Sequence, residues 1–138
     1  MANRLFNQFI RTFLKEEVHL HARVTFGSSG APTLDAVNSK GIKSVTRTSA
    51  GVFVFTFGTP SINTDIYPRW VNLVTCPVLA AASFPAATTC QVTATTTSTV
   101  TVQFSGPTSS SVTTLAATDP ASGEEWRFEF ILNNSTAQ

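Results

Sequence analysis

Beyond residue 17 the chain alternates apolar and polar positions with a period of two, the pattern of strands that bury one face. Val18, Leu20, Ala22, Val24 and Phe26 interleave with His19, His21, Arg23 and Thr25, and Gly27 ends the run. After a Gly-Ser-Ser-Gly-Ala-Pro loop, residues 42–48 and 52–57 predict two strands joined by Ser49, Ala50 and Gly51, a hairpin. In the second of these, Phe53, Phe55 and Phe57 face one way and Val52 and Val54 the other, which predicts a central strand covered on both faces. Residues 70–76 form a further apolar run, stopped by Pro77 because proline has no N–H to give a ladder. Residues 77–89, rich in Ala and Pro, read as a loop.

The next segment alternates most regularly. Val92, Ala94, Thr96, Ser98, Val100, Val102 and Phe104 share one face, with Thr93, Thr95, Thr97, Thr99, Thr101 and Gln103 on the other. One strand of that length exceeds the usual range of about 3 to 10 residues, so a bend or turn is expected near residues 96–98. Residues 106–123 read as a long Ser/Thr/Pro loop, of the kind that is functional or mobile in a compact domain. A last strand turns Trp126, Phe128, Phe130 and Leu132 inward and Arg127 and Glu129 outward, ahead of a polar tail. Short strands with Gly/Pro/Ser turns and no helical alternation predict an all-β fold, a single β-sandwich or jelly-roll-like domain over residues 18–138.

Residues 1–17 follow a different period. Leu5, Phe6, Phe9, Ile10, Phe13 and Leu14 recur at helical spacing with Arg4, Asn7, Arg11 and Lys15 between them. This predicts an N-terminal amphipathic helix or arm, either packed on its own domain or docked on another subunit.

Composition narrows the partners. The chain has 138 residues, the length of one domain, and only 12% are charged against a typical share of about 25%. A formal net charge of +1 gives no electrostatic footprint for nucleic acid and no polybasic membrane patch. Serine and threonine, about a quarter of the residues, take the place of charge and suit a pleated surface. No apolar stretch reaches the ~18 residues of a transmembrane helix, and the N-terminus has no secretory signal pattern, so synthesis in a cytoplasm is expected. Cys76 and Cys90 are either a pair bridged across neighbouring strands or two buried thiols.

Candidate chemistry is sparse. His19 and His21, at i and i+2 on one strand face, can supply two metal ligands, but zinc takes three or four and neither cysteine is near in sequence, so no metal is expected. Nucleophile-elbow, zinc-helix, phosphate-loop and dinucleotide motifs are absent. The adjacent pairs Glu16/Glu17 and Glu124/Glu125 point apart on extended chain and read as solvated turn ends rather than a converging acid and base. Tyr67 and Trp70 allow a sugar-binding platform, although Trp70 stands in a core-like run. The pattern suits a non-enzymatic assembly protein without a cofactor, contacting partners through main chain and apolar area.

Met-Ala-Asn-Arg-Leu-Phe-Asn-Gln-Phe at the start, Gly27-Ser-Ser-Gly-Ala-Pro-Thr-Leu-Asp35, then Asn38-Ser-Lys-Gly-Ile-Lys-Ser-Val-Thr-Arg-Thr-Ser-Ala-Gly51 and the strand to Gly58 resemble small virion proteins of tailed bacteriophages. Over about the first 60 residues the chain looks like a capsid decoration, or cement, protein. That resemblance implies a protein made in the host bacterial cytoplasm and carried on the capsid exterior. Its partner would be the major capsid protein, and it would be a homo-oligomer, a trimer near three-fold positions that clamps neighbouring subunits. The candidate capsid or subunit contacts are Arg4, Leu5, Phe6, Phe9, Ile10 and Phe13, with Lys40, Lys43 and Arg47 of the first hairpin. The alternative is a host-attachment or carbohydrate-binding module of the neck or tail, using Tyr67, Trp70 and the 106–123 loop.

Overall fold

The computed structural model describes residues 17–58, 71–78, 89–96, 98–108 and 111–133. They form nine strands: β1 (Glu17–Phe26), β2 (Pro32–Leu34), β3 (Ile42–Ser49), β4 (Val52–Phe57), β5 (Val71–Val78), β6 (Thr89–Thr95), β7 (Thr99–Thr108), β8 (Ser111–Ala117) and β9 (Glu125–Asn133). One 3-10 turn, Ser28–Gly30, lies between β1 and β2. All strand pairs are antiparallel, in a sheet of order β2-β1-β9-β5 and a second of order β3-β4-β7-β6, with β8 added to β7. The all-β sandwich expected from the sequence is the fold. The expected N-terminal helix or arm lies outside the described residues.

The two sheets meet through the alternating faces. Leu20, Ala22, Val24 and Phe26 of β1 and Trp126, Phe128, Phe130 and Leu132 of β9 come from one side; Phe53, Phe55 and Phe57 of β4 and Val100, Val102 and Phe104 of β7 come from the other. Their rings interlock across the interface. Phe26 meets Phe53 edge-on at 5.1 Å, Phe104 meets Trp126 edge-on at 4.8 Å, and Phe55 packs on Phe128 and Phe130 at 4.8 and 5.0 Å. Pairs at these separations add about 0.5–1.5 kcal/mol each beyond the area they bury.

Several elements differ from the periodic reading. The expected break at residues 96–98 is a hairpin turn: Thr96 Oγ1 accepts from the backbone N–H of Thr99 at 3.0 Å and lies 2.6 Å from Thr99 Oγ1. The long alternating series is therefore two strands, β6 and β7, with Val92 opposite Val102. A register shift between Val92 and Ala94 turns Ala94 out, and it is exposed with Thr96, contrary to the expected inward face. Pro77 does not stop β5, which runs on to Val78; among the described residues β5 is the edge strand of its sheet, a position where proline's missing N–H is tolerated. β4 is central, between β3 and β7, but Val52 and Val54 are only half-buried, so its second face is not closed over. Within the expected 106–123 loop, β7 reaches Thr108 and β8 returns along it to Ala117, and the described residues from 118 on are loop.

Candidate functional site

The outer face of the β2-β1-β9-β5 sheet carries the polar halves of β1 and β9. Register sets His21 opposite Glu129, Arg23 opposite Arg127 and Thr25 opposite Glu125. Two arginines directly across a ladder repel. Glu125 relieves this, accepting from Arg23 Nη2 at 2.6 Å and standing 3.5 Å from Arg127 Nε. The hydrogen bond from Arg23 holds the Glu125 carboxyl below its ordinary range and raises Arg23 in turn. Asp35 stands 3.5 Å from Arg23 and accepts from the side chain of Asn38 at 2.8 Å, the main cause that lowers its own pKa. His19 Nδ1 lies 2.8 Å from Glu129 Oε1. A cleft of about 460 Å3 opens on this face, lined by His21, Ala22, Arg23, Asn38, Arg127, Phe128 and Glu129. Most of its charges answer one another, so it offers a ligand a polar wall rather than a strong field of one sign.

His19 and His21 do stand out from the sheet as the alternation predicts, and both are exposed. Among the described residues no group of three or more His, Cys, Asp and Glu is placed to hold a metal ion. The expectation that Glu124 and Glu125 are both solvated turn ends is overturned. Glu124 is 5% exposed and accepts from the Trp126 indole N–H at 3.0 Å, because the loop folds back to close the end of β1, where Phe26 N–H donates to the Glu124 carbonyl. Glu125 is tied into the arginine ladder.

A second arrangement sits where β4 gives way to β8 beside β7. Phe104 donates its N–H to the Gly51 carbonyl at 2.7 Å and accepts from Thr118 N–H at 3.1 Å, so one residue of β7 joins both neighbours. Gly51 has φ +69°, and a Cβ there would lie 2.6 Å from both the Phe104 oxygen and the Thr118 nitrogen. Only glycine fits that junction. Asp119 closes it: its Oδ1 accepts from Arg47 Nε at 2.9 Å and from Gly51 N–H at 2.8 Å, and its Oδ2 accepts from Arg47 Nη2 at 2.7 Å. The Arg47 bond, with the Gly51 N–H added, lowers the Asp119 pKa. Asp119 also fills the space a Cβ on Gly30 would need, its Cγ being 2.6 Å from that position. One carboxylate thus bonds the β3–β4 hairpin to the chain leaving β8 and packs against the turn after β1.

Beyond this clamp the β7–β8 hairpin leaves the sandwich. Thr114, Leu115, Ala116 and Ala117 are all exposed in succession, as are Pro107 and Thr108 opposite. A strand lying on a core alternates buried and exposed residues, so a run exposed on both faces is a free-standing ribbon. Leu115 is 53% exposed.

The expected contact residues are placed as follows. Arg4, Leu5, Phe6, Phe9, Ile10 and Phe13 lie outside the described residues, as do Tyr67 and Trp70. Lys40, Lys43 and Arg47 are all exposed, in different local settings. Lys40 precedes β3 and is bridged to His21 of the other sheet by backbone bonds of 2.7 and 3.1 Å; Lys43 is exposed on β3; Arg47 is engaged by Asp119. Cys90 is a free thiol, packed against the core, and burial pushes its pKa up to about 12. Cys76 stands on β5 in the other sheet. Asp119 and β8 were not readable from local pattern: Asp119 and Arg47 are 72 residues apart, and the described side chains of β8, Thr114 to Ala117, are all exposed and impose no alternation. Compared with family models, curated proteins and solved structures, the chain matches none.

Proposed function

We propose that this chain is a non-enzymatic virion structural protein that binds the outer surface of a bacteriophage capsid and clamps neighbouring capsid subunits. The observation that carries the reading is the ribbon of β7 and β8, uncharged from Ser111 to Ala117 and anchored at its base by the bonds of Asp119 to Arg47 and Gly51. An extended edge of that kind gains partners through main-chain hydrogen bonds. The resemblance of the first part of the chain to decoration proteins agrees with it. So does a surface that is polar yet poor in charge, since permanent contacts need little electrostatic steering. Apolar anchoring falls to Leu5, Phe6, Phe9, Ile10 and Phe13. Because such a protein engages assembled subunits and not free ones, it stabilises the shell by mass action, by about 2.7 kcal/mol per site at a hundredfold excess over Kd.

The test is co-sedimentation with empty shells of the major capsid protein of the same virion. Saturable binding together with a higher shell disassembly temperature is expected. Absence of binding at saturating concentration, with a specific hit on a glycan array, would replace this reading by a host-attachment module.

A further inference from the structure

From the β7–β8 ribbon we infer a second activity, self-association: the open edge of β8 pairs with β8 of a second copy of this chain, antiparallel, joining two molecules through one continuous sheet. The inference uses the same ribbon as the shell-binding reading but does not depend on the shell, and a β8 edge paired in this way leaves the shell contact to the rest of the molecule.

The orientation of the edge follows from the ladder. Thr118 N–H donates to the Phe104 carbonyl, so Phe104/Thr118 is a hydrogen-bonded pair of the antiparallel ladder. Pairs alternate between bonded and unbonded. Gly106/Ala116 is therefore bonded, while Ser105/Ala117 and Pro107/Leu115 are not. Leu115 and Ala117 consequently turn their N–H and C=O groups away from β7, and among the described residues nothing receives them.

The other edges carry the features by which natural sheets discourage pairing. β2 has three residues and begins with proline, β3 bears Lys43 and Arg47 and two register shifts, β5 contains Pro77, and β6 has a register shift. β8, Ser-Val-Thr-Thr-Leu-Ala-Ala, has neither charge nor proline, and although its ladder to β7 also shifts register, between Pro107 and Thr108, it is regular from Leu115 to Ala117. A two-stranded ribbon with both faces bare is marginal in water, and a third and fourth strand remove that weakness.

Three features make the occupant a second copy. A two-fold axis across β8 opposes the strand to its own antiparallel mate, which is the geometry in which donors meet acceptors and a self-complementary patch closes. With no charged residue in β8, that pairing sets no like charges together, and a molecular net charge of +1 adds little repulsion. The small exposed side chains of Ala116 and Ala117 let two backbones approach.

Sedimentation equilibrium of the full chain tests this, with Leu115→Pro and Leu115→Lys beside the wild type. Proline at 115 removes an outward N–H without touching the ladder to β7, and lysine places two like charges near the axis. The wild type is expected to show a monomer–dimer equilibrium. Each variant is expected to raise its dissociation constant about tenfold or more, the variants keeping the wild-type circular dichroism. A wild type that stays monomeric at every concentration overturns the inference, and so does an oligomer, dimer or trimer, that both variants leave intact. If proline disturbs the fold, the lysine variant decides. Shell co-sedimentation of the same samples separates the two readings: a monomer that decorates shells overturns this pairing alone, and a dimer that ignores shells overturns the shell reading alone.

Discussion

Asp119 accepts three hydrogen bonds from Arg47 and Gly51, some seventy residues earlier in the chain, and its consequences are local and measurable. Its carboxylate is lowered by Arg47, so it binds its proton less readily folded than unfolded. A depressed carboxyl contributes stability that is complete above its unfolded pKa and disappears as pH falls through the folded one. Asp119→Asn is therefore expected to cost about 1 kcal/mol at pH 7, the ion pair being partly exposed and screened. That difference should shrink as the pH drops below the ordinary value of 3.8, as read by urea unfolding of both proteins across a pH series. A difference that stays constant into acid would mean that the side chain acts by shape and not by charge. The junction beside it predicts a larger effect. Gly51→Ala meets the Phe104 and Thr118 backbones and a left-handed φ, so at least ~1–2 kcal/mol is lost from conformation alone. Thermal unfolding checks this, and an unchanged melting temperature would contradict the tight junction.

At the level of elements, legibility tracked burial. β9 was readable because Trp126, Phe128, Phe130 and Leu132 are buried with Arg127 and Glu129 between them, so the core writes its period into the sequence. Phe128 is the centre of that strand's packing, touching Phe55, Phe104, Trp126 and Phe130. Phe128→Ala is expected to destabilise by about 3–5 kcal/mol in denaturant titration, the range for emptying a buried aromatic position. A loss under 1 kcal/mol would mean that the sheets collapse into the gap. β8 shows the opposite case. It pairs with β7 while its described side chains, Thr114 to Ala117, are exposed, and nothing in Ser-Val-Thr-Thr-Leu-Ala-Ala separates it from a loop. The β6–β7 turn was visible only through the excess length of the series, since its threonines have the composition of the strands they join. The site was legible in part for the same reason. Alternation placed His21, Arg23, Arg127 and Glu129 on one outward face, but which charges neutralise which depends on register between strands about a hundred residues apart.

Across the whole molecule, the distribution of charge decides how assembly responds to salt. The total is +1, and the described ion pairs are internal: Arg23 with Glu125 and Asp35, Arg127 with Glu125, Arg47 with Asp119. Charges already matched within the chain have little left to offer a partner. Arg47 in particular, the one arginine of the first hairpin, already gives its Nε and Nη2 to Asp119, so its charge is largely answered before any shell contact. Binding to shells is thus expected to be carried by apolar area and main-chain bonds, neither of which salt screens. Exposed pairs act over a Debye length of about 8 Å at physiological ionic strength, so an interface built on them would loosen as salt rises. Occupancy of shells should stay nearly constant from low salt to about 0.5 M, and Phe6→Ala or Phe9→Ala should lower it at every salt concentration. A steep loss with salt that neither phenylalanine substitution alters, but that Lys40→Ala or Lys43→Ala abolishes, would put the binding energy in the two exposed lysines and reverse the assignment.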